Sequence, residues 1–363
     1  MRNSQSVIQH GLAGTAALLL VLVTGPASGQ DPGFAPLPEP KEVNEVRAKL
    51  GGMLFFDDRL SGDTGSSCST CHDPEQGWGD GLALSDGYAG GVYFRNAKSL
   101  FNTSYSNVLM WGGRLDGADM STVSRDMLTE SHTMNMDSRL AQERLKQVPE
   151  YAALFEEGFG GDPYGGKIYS ALGEYLKTIR TTGAPFDAYL NGDTAALSEA
   201  ATRGMELFEG KAGCISCHNG PTLSDGGAHA TGVPDHPDLQ EDAERQIVML
   251  RFFATLGTPN YMNLREDAGH YAVTKDDDDR GKFATPGLWD VGQTAPYMHS
   301  GVFATLPEVV AFYNAGNEQV APLGLSAEEE ADLVAFLESL TGDAPDVTVP
   351  ELPDYAMRVV GEN

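Results

Sequence analysis

Apolar residues at Val43, Val46, Leu50, Met53 and Leu54 recur at helical spacing and predict an amphipathic helix over that stretch. Ala141 to Lys146 and Ile168 to Ile179 carry the same period. Thr305-Leu306-Pro307-Glu308 has the form of a capping box that opens a helix through Tyr313, with Gly316 placed to end it. Ser326-Ala327-Glu328-Glu329 opens another, whose buried stripe is Leu333, Val334, Phe336, Leu337 and Leu340, with Gly342 beyond. Between these helices run long segments rich in Gly, Asp and Pro, and strand signals are few. The predicted class is mainly α with long irregular loops.

The first residues follow a different pattern. Met1-Arg2 is a short positive start, Leu12 to Thr24 is an apolar run, and Ala27-Ser28-Gly29 offers small residues for cleavage. This predicts a signal peptide over residues 1–29, cleaved near Gly29, and export to the periplasm. The run is too short to span a bilayer comfortably, and no other segment is apolar enough, so no membrane span is expected in the mature chain. The 363 residues are 41% hydrophobic and 21% charged, ordinary for globular domains. Acidic residues outnumber basic ones 52 to 24, a formal charge of −28, which disfavours nucleic acid and anionic membranes as partners. The excess serves solubility, or it steers a basic partner such as a small electron carrier.

All four cysteines fall in two copies of Cys-x-x-Cys-His: Cys68-Ser-Thr-Cys71-His72 and Cys214-Ile-Ser-Cys217-His218. Two thiols three positions apart reach the two vinyl groups of one haem, and the adjacent imidazole sits under the iron. Zinc would need two further ligands per site, and a thiol redox pair has no need of the histidine. Two covalent c-type haems are therefore expected.

Gly52-Met53-Leu54-Phe55 precedes the first motif and Gly204-Met205-Glu206-Leu207-Phe208 the second, the trace of an internal duplication. The expected organisation is two cytochrome c-like haem domains, residues 30–182 and 183–342, with a C-terminal tail at 343–363. Their boundary falls in Thr181-Thr182-Gly183-Ala184-Pro185, where turn residues cluster, and Gln30 to Pro40 reads as a tail or linker.

The chain resembles the bacterial di-haem cytochrome c peroxidases and their relative MauG. The resemblance rests on Leu54-Phe55-Phe56-Asp57-Asp58-Arg59-Leu60-Ser61, Arg95-Asn96, Asn102 and Trp111, then on Phe283-Ala284-Thr285-Pro286, Thr294-Ala295-Pro296-Tyr297-Met298-His299-Ser300-Gly301 and Thr305 to Gly316. It implies that the haem on His72 meets peroxide and the haem on His218 accepts electrons. Trp111 falls where the family places a tryptophan between the haems. Asn96, with the carbonyls of Thr294 and Pro296, matches an inter-haem calcium site. The Asp276 to Asp279 run also offers calcium oxygens, or is a solvated loop. Tyr313 stands where the classical peroxidases carry a methionine ligand to the C-terminal iron, the MauG-like choice, and an anionic phenolate donor lowers the reduction potential. Met298 and His299 are nearby alternatives. The classical distal histidine of the first haem is matched by Tyr88, a removable ligand or a plain loop residue. The family's distal glutamate aligns near Asn135 or Met136, so Glu130 or His132 is the candidate proton-transfer group.

Three functions are thereby opened. The first is reduction of hydrogen peroxide to water with electrons from a small c-type cytochrome or cupredoxin. The second is a MauG-like oxidation of a partner protein or small metabolite by peroxide. The third is a non-enzymatic di-haem electron carrier. A homodimer is compatible with each.

Overall fold

A computed structural model describes residues 33–356. The predicted signal peptide and its cleavage point, and the last seven residues of the predicted tail, lie outside the described residues. In chain order the helices are α1 (Glu45–Phe55), α2 (Cys68–Cys71), α3 (Met120–Thr129), α4 (Ser138–Lys146), α5 (Pro149–Phe159), α6 (Gly165–Leu176) and α7 (Pro185–Leu190). They continue with α8 (Glu199–Glu209), α9 (Pro237–Glu241), α10 (Ala243–Thr255), α11 (Tyr271–Thr274), α12 (Leu306–Ala315) and α13 (Ala327–Ser339). Two antiparallel pairs of two-residue strands, Asp86–Gly87 with Gly91–Val92 and Ala228–His229 with Phe283–Ala284, and several three-residue 3-10 turns complete the regular structure of the described residues. The mainly α expectation holds, and the capping boxes at Thr305/Glu308 and Ser326/Glu329 form with both reciprocal hydrogen bonds.

Each half is built on one crossed helix pair, α1 with α6 and α8 with α13. At both crossings a glycine lets two backbones touch. A β-carbon added at Gly51 would lie 2.0 Å from the carbonyl oxygen of Ala171, and one at Gly204 would lie 1.9 Å from that of Asp332. From these glycines the copies run in step: Leu54 and Phe55 correspond to Leu207 and Phe208, and Leu172, Tyr175 and Leu176 to Leu333, Phe336 and Leu337. The repeat read from sequence starts its first copy at Gly52. The structure starts it at Gly51, because only that glycine meets the partner helix's backbone.

Three apolar cores follow. Leu50, Leu54, Phe55, Leu172 and Leu176 belong to the first, and Phe186, Phe208, Leu333, Phe336 and Leu337 to the second. A smaller third core joins Leu84 and Phe94, just beyond the first haem motif, to Met249, Phe252 and Phe253 of α10. Side chains of this size contribute roughly 1.5–3 kcal/mol each when fully buried.

The chain ends depart from the linker and tail readings. Phe34 packs edge-on against Phe186 at 4.9 Å and also meets Phe208 and Phe336, so the segment before α1 completes the second core. Val347 and Leu352 pack on the first core, Arg59 donates to the Pro353 carbonyl at 2.7 Å, and the Ala356 amide donates to Gln147. Each terminal segment thus straps the opposite half. The expected boundary is a buried seam: Asn102 donates to the Thr181 hydroxyl, which donates to the carboxylate of fully buried Asp290, and the Gly342 amide reaches that same carboxylate.

Gly204→Val should lower stability by about 3 kcal/mol, the upper end of the overpacking range, because two helix backbones must part. Gly166→Ala in α6, where nothing lies closer than 3.5 Å, should be neutral or slightly stabilising. Chemical denaturation of both variants checks this, and equal midpoints for Gly204→Val and the parent would remove the tight crossing.

Candidate haem sites

At the first motif Ser67 opens α2 through a reciprocal capping box with Thr70, so Cys68 and Cys71 project from one helical turn and His72 lies at its end. The His72 amide donates to the Cys68 carbonyl at 3.0 Å. Its ring Nδ1 is 3.0 Å from the carbonyl oxygen of Trp78. A carbonyl can only accept, so Nδ1 carries the proton and Nε2 presents its lone pair. The second motif repeats this arrangement. The His218 amide donates to Cys214 at 2.9 Å, and Nδ1 donates to the Leu223 carbonyl at 3.1 Å. Both acceptors sit on buried residues with left-handed backbone, Trp78 at φ 62° and Leu223 at φ 53°.

Burial holds both imidazoles below their ordinary pKa and so in the neutral, metal-binding form. It pushes the thiols the other way, Cys68 up to about 12 and Cys71 and Cys214 to about 11. Such thiols carry little thiolate at neutral pH and are poor redox nucleophiles. Among the described residues, only Cys217, Asp225 and His229 form a metal-sized cluster of His, Cys and acidic side chains, and Asp225 and His229 are already paired at 2.8 Å.

Beside Cys214, Cys217 and His218 opens a cavity of about 470 Å³, a size suited to a large planar ligand. Its walls are mainly apolar: Phe208, Leu306, Val309, Val310, Leu333 and Leu337. Free paired thiols, an imidazole with a fixed tautomer and an apolar slot fit a covalently held porphyrin. Tyr313 and Met298 both stand on this wall. Burial raises the Tyr313 hydroxyl's pKa, partly offset by its hydrogen bond with Thr231. His299 is buried and stacks on Phe283 at 3.6 Å.

Trp111 lines the same cavity and donates its indole N–H to the Asn96 carbonyl at 2.9 Å. Asn96, Thr294 and Pro296 share the wall, and Asn96 gives its side-chain N–H to Leu82, which leaves its amide oxygen for a cation. The Asp276 to Asp279 run is a capped, exposed turn in which Asp277 pairs with Arg280 and Asp279 with Lys282. It behaves as a solvated loop.

The first motif is tied to the acid–base candidates through a short relay of backbone. The Cys71 sulfur lies 4.0 Å from the Asp86 carbonyl, and the Tyr88 amide, two residues on, donates to the His132 carbonyl. The Tyr88 hydroxyl packs against Gly62, so the residue is half-buried and not an exposed loop tip. Glu130 and His132 come together, with His132 Nε2 3.1 Å from the Glu130 carboxylate, though too poorly aligned for a hydrogen bond. Arg114 grips the same carboxylate at 2.7 Å, and the His132 ring stacks on Tyr93 at 5.4 Å. Burial pushes the Tyr93 hydroxyl up to about 12. Arg114 and Tyr93 carry no motif that would have singled them out by sequence.

The comparisons agree with this geometry. Residues 45–195 match the profile of the di-haem cytochrome c peroxidases. The chain is 51% identical to cytochrome-c peroxidase IdrP2 of Denitromonas iodatirespirans over the whole of both proteins. It is 34% identical to the methylamine utilization protein MauG of Methylorubrum extorquens, covering 89% of this chain and 86% of that one. Among solved structures, a MauG-like protein associated with microbial copper homeostasis superposes with a TM-score of 0.70 at 27% identity, covering 85% of this chain and 93% of that one. Repeated motifs, fold and full-length similarity converge: this chain belongs to the family of di-haem cytochrome c peroxidases that includes MauG.

Proposed function

We propose that the chain is a periplasmic di-haem peroxidase that reduces hydrogen peroxide to water with electrons from a small c-type cytochrome or cupredoxin. The observation that carries this reading is the pair of Cys-x-x-Cys-His turns whose histidines are each fixed, neutral, by a hydrogen bond to a buried carbonyl. Cys68, Cys71 and His72 would hold one haem, and Cys214, Cys217 and His218 the other, with Tyr313 as a further ligand in the second cavity. When bound, the haems supply the redox-active iron.

The protein's own groups do the remaining work. Glu130, held by Arg114, supplies a carboxylate beside His132, and His132 takes the proton from the incoming peroxide and returns it to the departing oxygen. The Arg114 guanidinium, beside this pair, offsets negative charge that develops on that oxygen. Trp111 offers an oxidisable indole on the wall of the His218 cavity, suited to passing electrons onward. Asn96 with the carbonyls of Thr294 and Pro296 supplies neutral oxygens for calcium, which would stiffen the same wall. Export rests on the N-terminal residues. No helix among the described residues is long and apolar enough to cross a membrane.

Tyr313 on the cavity wall favours a second reading, a MauG-like oxidation of a partner protein or small metabolite at the expense of peroxide. Steady-state assays separate the two. Rapid peroxide consumption driven by reduced cytochrome c or a reduced cupredoxin is expected; peroxide loss only in the presence of an organic or protein substrate would transfer the assignment.

His132→Ala and Glu130→Gln should each lower peroxide turnover about 10²- to 10⁴-fold, the usual share of a proton-transfer group, while intact mass still shows two added haems. Turnover within twofold of the parent for both would move the acid–base role elsewhere. Tyr313→Met should raise the reduction potential of the His218 haem, since a neutral thioether replaces a phenolate. A potentiometric titration reads this directly, and an unchanged value removes Tyr313 from the ligand set.

A further inference from the structure

Lys98 has no place in the chemistry above, yet it occupies an unusual position. It lines the cavity beside Cys214, Cys217 and His218, and it is the only lysine or arginine to do so among the described residues. Among the described residues no aspartate or glutamate lines that cavity either, in a chain whose acidic residues outnumber basic ones 52 to 24. Among the described residues Lys98 makes no side-chain hydrogen bond or ion pair. Its one charge-related contact is the indole face of Trp111, with Nζ 5.4 Å from the ring centre. Neighbouring Arg95, by contrast, is buried with a bidentate partner, Asp267, at 2.6 and 2.7 Å.

Lys98 is half-buried on the cavity wall, and a porphyrin filling the cavity would withdraw its ammonium further from water, at a cost of several kcal/mol of hydration against which an aromatic face returns only about 0.5–2 kcal/mol. The remainder calls for an anion that enters the cavity. A haem brings two propionate carboxylates on one edge of its ring. We infer that Lys98 is the electrostatic anchor for a propionate of the His218 haem, turning the carboxylate-bearing edge toward Trp111. The proposal rests on the haem assignment of the preceding section and deepens it. Lys98 would act as a positioning residue: it fixes how the porphyrin is rotated in its slot and offsets a propionate's negative charge.

The test uses the full-length holoprotein and its Lys98→Met and Lys98→Arg variants, with potentiometric titration of each haem followed by absorbance. Removal of the cation should lower the reduction potential of the His218 haem, because the ferric state no longer sits beside an opposing positive charge. The arginine variant should restore most of the shift, and the His72 haem should move less. An unchanged His218 potential in Lys98→Met, with both haems present by intact mass, overturns the proposal. So does an equal shift in the Met and Arg variants, which would report shape and not charge. Lys98→Gln carries the same measurement if the methionine variant does not accumulate. A diffusible anion is distinguished by titrating the parent with acetate: dependence of the potential on added acetate would assign Lys98 to free anions, and independence accords with a tethered carboxylate. Absence of haem from the Cys214–His218 peptide would instead defeat the functional reading itself.

Discussion

The hydrogen bond from each motif histidine to a backbone carbonyl governs what this fold can do. A free imidazole rotates and exchanges its proton between two nitrogens. Here the Trp78 and Leu223 carbonyls hold the proton on Nδ1 and leave the lone pair on Nε2. Each such bond contributes only about 1 kcal/mol to stability, but its geometric effect is larger than its energy. Both acceptors sit on residues in left-handed conformation, a choice that costs a non-glycine residue about 1–2 kcal/mol. Packing covers that cost: Trp78 is buried edge-on to Phe55, and Leu223 is fully enclosed.

The helix crossings exist to provide that packing. Phe55 projects from α1 and Phe208 from α8, each four residues beyond a glycine that allows its helix to touch a neighbour. The same physical solution appears twice, so the duplication is a matter of contacts and not of sequence identity alone. The crossed terminal straps and the Asn102–Thr181–Asp290 seam then join the two halves, so that loops from both contribute to one cavity wall.

Charge is distributed with the same economy. Near the first motif, Arg114 pairs with the Glu130 carboxylate, and the His132 ring lies beside that pair. Around the second, the cavity is mainly apolar, and among the described residues no carboxylate and no lysine or arginine other than Lys98 lines it. A proton-handling site needs groups that exchange protons and are held in place. An electron-accepting site needs a dry wall and a controlled potential. On the proposed assignment, the two halves of the scaffold differ along that line.

Much of this was legible in the sequence, because the signals were local. Cysteine and histidine spacing within one turn, capping boxes at Thr305 and Ser326, and the periodic stripe of α13 depend only on neighbours along the chain. Other features depend on partners far away in sequence. Gly51 was indistinguishable from Gly52 until Ala171 lay against it. Phe34 read as linker until Phe186 and Phe336 surrounded it, and Arg114 acquired meaning only beside Glu130 and His132. The sequence by itself determined which residues can bond to a porphyrin, since covalent reach is set by a few consecutive bonds. Only the tertiary structure decided which side chains face that porphyrin, because burial and electrostatic partnership are properties of three-dimensional proximity, and one-residue ambiguities along a helix change its direction by about 100°.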